Sequence, residues 1–286
     1  KYPEVMKYTK QLFVHKLGGV VQNQTTPFLT YAFVSLQTVA FYGNYTIITD
    51  KLSLLISNFL ESTGAGVGNL IAEGGKEKIK KVFWELLSIR FWIAGTLIFL
   101  LYELLPSFIV LWIGNEYLLS DTVLVLLLLS FFISITRGVT DQFVFGYGLF
   151  YDTWAPIAES VIYIVIAIIG GIFYGLEGIL CGGIISRFVI IGIWKPYFLF
   201  TKGFQISVWK YWGNWIKYLV LIAIPFFTLE RSIDYFNLQI YILNGWVHWV
   251  LFATSITIIS SILYYIVLYI GTKGMRYFTE RIIYKK

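Results

Sequence analysis

Arg137 lies within the apolar stretch TVLVLLLLSFFISITRGVTDQFVFGYG, and Arg187 within GILCGGIISRFVIIGIW. An arginine near the centre of a bilayer-spanning helix costs about 2.5–3.5 kcal/mol on insertion scales, so such residues face a protein interior or a water-filled cavity. Lys51 and Arg90 occupy two further apolar stretches. If these cations on separate helices face one cavity, they form a ladder for an anionic group. Local pairing competes with that reading. Arg137 and Asp141 are four residues apart on one helical face, Asp50 adjoins Lys51, and Glu85 precedes Arg90 by five residues. Arg187 has no acid within a turn and points most strongly to a ligand. Asp141, Glu61 and Glu159 fall near span ends. They are candidates for ion coupling, and snorkelling to the interface explains them equally well. Gln22, Asn23, Gln24, Thr25, Thr26 and Pro27 form a polar, breakable segment in the first span. Polar or broken helices at membrane depth line cavities, and Asn44 joins this set of polar cavity-lining candidates.

Catalytic chemistry finds little support. His15 and His248 are the only histidines, and neither has a metal-type partner three or four residues away. Gly64-Ala65-Gly66-Val67-Gly68 lacks the Lys-Ser/Thr of a phosphate loop and reads as a flexible, closely packed helix end. Glu103, Glu116 and Asp121 have no pairing as general acid and base. The expectation is a transporter, not an enzyme, without metal or cofactor.

The elements that must position these residues are helices. The chain is 58% hydrophobic and 13% charged, with mean hydropathy +0.73, against about 25% charged in a soluble domain. Apolar runs predict an all-α, polytopic membrane protein with about eight spans, over 17–36, 43–72, 82–112 (ending at Pro106 or a turn beyond), 122–146, 154–174, 178–200, 211–229 and 246–271. Connections alternate in charge. The segments 1–16, 73–81, 195–217 and the tail from 272 hold seventeen basic residues, and those between hold one, Arg231. The positive-inside rule then places both termini in the cytoplasm. Trp209, Trp212 and Trp215 alternate with Lys210 and Lys217 as an amphipathic interfacial segment over 201–217, which argues for a lipid partner and against nucleic acid. Gly171, Gly175, Gly178 and Gly182 follow small-xxx-small spacing, which lets the fifth and sixth helices approach closely. The single cysteine, Cys181, excludes an internal disulfide framework. The chain begins at Lys1 and is expected to be a truncated piece.

The phrases FYGNYTIITDKL, GAGVGNLIAEGGKEK, FIVLWIGNEYLL, GYGLFYDTWAPIAESVI with YGLEGILCGGIISR, and WKPYFLF occur in this order. Together they resemble the C-terminal half of bacterial oligosaccharide-repeat-unit flippases, polysaccharide-export proteins of the multidrug/oligosaccharidyl-lipid/polysaccharide exporter superfamily. The resemblance is clearest from Lys10 to Phe200. It implies one six-helix lobe of a two-lobe transporter over 17–200, after a cytoplasmic linker 1–16. Two trailing helices over 218–271 and a basic cytoplasmic tail 272–286 would follow, with the first lobe of the same protein missing. It also implies residence in the bacterial cytoplasmic membrane, a polyprenyl-diphosphate-linked oligosaccharide as substrate, and glycan-assembly proteins as partners. Arg137 and Arg187 would then engage the diphosphate, Lys51 and Arg90 would shape the field, and the polar first helix would contact sugar. Gln24-Thr25-Thr26 stands where related sequences often carry an acid, which counts against ion coupling there. The alternatives are a small-molecule or multidrug exporter of the same superfamily, which a net-basic cavity disfavours, and a membrane-embedded glycan polymerase or ligase, which short outer loops disfavour.

Overall fold

The structure, a computed structural model, describes residues 3–238 and 245–283, and the side chains within them except those of 3–5, 7–8, 15–23 and 61. The fold is 90% helical, with no strand among the described residues. Its helices are α1 (Pro3–Phe33), α2 (Leu36–Glu73), α3 (Lys76–Trp112) and α4 (Asp121–Gly146), with a short 3-10 turn at Asn115–Tyr117 between the last two. The helical run Trp154–Arg187 contains one non-helical residue, Gly175 (φ 58°, ψ −132°). There it divides into α5 (154–174) and α6 (176–204). Two π-helical stretches in α6, Phe188–Trp194 and Leu199–Phe204, flank a single α-turn, Lys195–Phe198. Then come α7 (Trp209–Tyr235), α8 (Trp246–Gly271) and α9 (Lys273–Ile283).

Four runs are long and apolar enough to cross a membrane: Lys76–Trp112, Asp121–Gly146, Trp154–Phe204 and Trp246–Gly271. Only 17% of the most apolar stretch of the last is buried within the protein. In water such a surface would aggregate; in a bilayer it meets lipid. The hydroxyls on α8 are suited to that setting. Thr254, Ser255 and Thr257 each donate to the carbonyl four residues back, at 2.6–2.8 Å, so no donor is left for water to satisfy. The chain is a membrane protein.

Two compact units form, each from two chain segments: Lys1–Glu73 with Leu119–Val208, and Gly74–Leu118 with Trp209–Lys286. In the first unit α1 and α5 run parallel, with Thr26 against Tyr163 and Phe33 against Gly171. In the same unit α2, α4 and α6 share a direction. Tyr45 meets Leu119, Leu60 meets Gln142, Ser120 meets Glu177, and Phe143 meets Phe204. In the second unit α3 runs parallel to α7 (Phe91 on Tyr218, Phe99 on Phe226) and antiparallel to α8 (Trp92 on Ser261, Ser107 on Trp249). Phe99, Leu104, Leu229, Ile256 and Tyr264 lie within its core.

This grouping differs from a six-helix lobe over 17–200 followed by two trailing helices. The face of α3 that buries Phe83, Leu87, Phe91 and Phe99 completely is covered by aromatic residues of α7 and by α8. Adjacency in sequence does not dictate which helix supplies that cover. Three local features bear on the expectations. First, α1 continues through Pro27 without a break, as α3 does through Pro106 to the expected end at Trp112. A proline removes one helical hydrogen bond, and in both helices the flanking turns carry on across it. Second, Gly64, Gly66 and Gly68 lie inside α2 facing open space, not at a packed helix end. Third, α7 begins at Trp209, not 211, so Trp209, Trp212 and Trp215 form its first turns; Trp215 packs edge-on against Phe91. The tail, expected only as a basic segment, contains the helix α9.

The α5–α6 hairpin depends on absent side chains. A Cβ on Gly178 would overlap the Gly170 carbonyl, and one on Gly182 would lie 2.7 Å from the Ala167 nitrogen. Both neighbours are backbone and cannot rotate aside. At Gly175, φ +58° is a region that L side chains avoid. Gly178→Val should therefore destabilise the protein by at least about 1–3 kcal/mol. Gly183→Ala, whose Cβ would find its nearest atom at 3.9 Å, should stay within about 0.5 kcal/mol. Thermal unfolding in detergent compares the two.

Candidate functional site

The first unit brings Arg137 and Arg187 together. Arg187, half-buried on α6, lies within electrostatic range of Arg137 on α4, Glu159 and Tyr163 on α5, and Tyr42 on α2. Arg137 is in range of Asp141 and Glu159. Tyr163 is 1% exposed, and its hydroxyl shares a 2.6 Å hydrogen bond with the Thr26 hydroxyl on α1. Five helices thus contribute to one polar constellation.

Within it, Arg137 donates from Nε to Asp141 Oδ2 at 2.8 Å. The side chains of this pair are 35% and 24% exposed. Asp141 thus orients the guanidinium and leaves part of it accessible. The polar surroundings are balanced, not net basic: Asp141 and Glu159 stand among the two arginines.

The other sequence candidates fall differently. Lys51 is exposed on α2 beside Asp50, which lies in range of both Lys51 and Arg187. Arg90 is buried, 5% exposed, and belongs to the second unit, as does Glu85. Glu85 accepts a 2.6 Å bond from Arg281 on α9. Gln24 is exposed on α1 and Asn44 half-buried on α2. The side chains of Gln22, Asn23 and Glu61 lie outside the described residues. A groove of about 470 Å³ lies in the first unit, lined by residues including Leu126, Ile169, Tyr174, Glu177 and Cys181, and by none of the cations. Among the described residues no group of His, Cys, Asp and Glu could hold a metal ion.

Sequence reading missed one ionic feature. Lys195 was expected in a cytoplasmic basic connection. It is buried in α6, where Nζ donates to Asp152 Oδ2 at 2.7 Å; the two side chains are 8% and 1% exposed. Trp194 Nε1 donates to the same oxygen at 3.1 Å, and its ring packs on Trp154 and Phe198. The pair ties the turn before α5 to the one α-turn between the π-helical stretches, a location where helix irregularity accompanies function in many proteins. The acid two residues before the helix start was the available signal.

Comparison with protein-family models, with curated proteins and with solved structures gives no match for this chain.

The buried pair yields a quantitative expectation. Lys195→Met leaves Asp152 as an uncompensated buried carboxylate and should cost about 3–5 kcal/mol, whereas Lys195→Met with Asp152→Asn should recover most of that loss. Chemical or thermal unfolding in detergent reads both. A double variant as unstable as the single would show that the ion pair is not the source of the loss.

Proposed function

We propose that the chain is part of a membrane transporter that moves a polyprenyl-diphosphate-linked oligosaccharide, with Arg187 and Arg137 receiving the diphosphate. The observation that carries this reading is the proximity of two guanidinium groups from different helices. A guanidinium is always charged and presents donors in a fork that matches phosphate oxygens in pairs. Tyr42 and Tyr163 add hydroxyls within electrostatic range of Arg187. The tail of such a substrate would remain in lipid, and the sugars would follow the diphosphate through a polar path.

Helix directions support eight crossings. Strict alternation requires α1 and α5 to share one direction. It also requires α2, α4 and α6 to share one, α3 and α7 to share one, and α8 to oppose α3. The contacts within each unit agree with all of these. On this reading α2 and α7 cross despite Asp50, Lys51 and Lys217, and the basic connections lie on the cytoplasmic side of a bacterial inner membrane.

Asp141 and Glu159 favour a second reading, a small-molecule exporter of the same superfamily, since carboxylates in the constellation could receive a cation. The two readings separate in proteoliposomes. With a labelled polyprenyl-diphosphate oligosaccharide, Arg187→Gln should reduce translocation at least about tenfold, the loss of one charge-assisted phosphate contact. Arg137→Lys, which keeps charge but loses the fork, should be intermediate. Unchanged lipid translocation in Arg187→Gln, or transport of organic cations that depends on Glu159, would favour the exporter.

A further inference from the structure

We propose that the end of the second unit where α3 and α7 begin and α8 ends is a docking surface for anionic phospholipid headgroups. The directions of the helices fix this end: α3 and α7 are parallel and α8 is antiparallel to both, so Lys76, Trp209 and Gly271 lie at the same end of one bundle. At ~1.5 Å per residue, α3, with its 37 residues, is about 55 Å long. That exceeds the roughly 30 Å hydrocarbon core, so helix extends into the headgroup layer.

Lys76, Lys78 and Lys81 are exposed on the first turns of α3. Lys80, beside them, pairs with Glu77, which is also in electrostatic range of Lys210 on α7. The helix α9 is fastened to the same place. Gly274 lies against the Trp84 carbonyl and the Ser88 hydroxyl so tightly that no Cβ fits, and Met275 is fully buried. Arg281 bonds Glu85, and Lys81 sits 4.4 Å over the Tyr277 ring. This docking adds Lys273 and Arg276 to the surface. Across the first ten residues of α3, the first turn of α7 and α9, eight cations face three carboxylates (Glu77, Glu85 and Glu280), one of which is buried.

Charge alone would fit a free phosphate equally well. The neighbouring apolar groups select lipid: Trp209 is 75% exposed, Ile282 60% and Ile283 66%. A basic face beside exposed tryptophan and isoleucine matches the boundary where headgroup phosphate meets acyl chain. The surface rests on the membrane location alone and is independent of the transported substrate.

The test uses the full chain in nanodiscs of phosphatidylcholine, with or without a minor fraction of phosphatidylglycerol, and counts retained lipids by native mass spectrometry. The native protein should enrich phosphatidylglycerol, and added salt should diminish the enrichment. The triple variant Lys78→Gln, Lys210→Gln, Lys273→Gln should lose enrichment by up to about fivefold per lysine, since each is worth about 1 kcal/mol at an anionic surface. Equal retention of the two lipids by the native protein would overturn the proposal. So would enrichment that is insensitive to both salt and the variant, or enrichment abolished by millimolar inorganic phosphate at constant ionic strength.

Discussion

A guanidinium held at membrane depth must be met by protein, and the arrangement of the first unit follows from that constraint. Arg187 enters on α6 with no acid within a turn of its own helix. Its surroundings come from elsewhere: Arg137 from α4, Glu159 and Tyr163 from α5, Tyr42 from α2. The glycine contact between α5 and α6 makes this possible. With Gly170 and Gly178 backbone to backbone, the hairpin folds at the shortest separation that helices allow, and the polar residues of α5 reach the arginine on α6. Thr26 on α1 then completes the shell through Tyr163.

The charge balance of this shell shapes the functional reading. A ladder of unopposed cations would bind any anion and would be costly to keep dry. Two arginines with two carboxylates cost less to enclose and can exchange partners. Arg137 bonds Asp141 through Nε and stays partly exposed. The ion pair that is tightly enclosed, Lys195 with Asp152, lies apart, at the turn before α5. A buried pair of that kind contributes little net stability but penalises the loss of either partner, so it acts as a geometric pin for the lower part of α6.

Much of the helical layout was legible. The sequence boundaries 122–146 and 246–271 agree with Asp121–Gly146 and Trp246–Gly271 because local signals mark them: Ser120 caps α4 by accepting from Val123, and Gly245 precedes α8. The glycine spacing of the α5–α6 hairpin was readable for the same reason, since small residues at helical period state that something comes close. What covers a face was not readable. Nothing in the local pattern of α3 says that α7 and α8 pack against it. Likewise, Lys195 looks like any basic residue after an apolar run until Asp152 is brought to it. Nor does proline mark a break reliably: Pro27 and Pro106 lie inside continuous helices, each of which forgoes a single hydrogen bond.

The central claim is that Arg137 and Arg187 act on one ligand. A double-mutant cycle tests it most directly: affinity for a polyprenyl diphosphate in nanodiscs, measured for Arg137→Gln, Arg187→Gln and the pair. Groups that share one phosphate couple, so the double variant should lose clearly less than the product of the two single losses. Losses that multiply independently, or single variants that bind as well as the native chain, would contradict a shared diphosphate site.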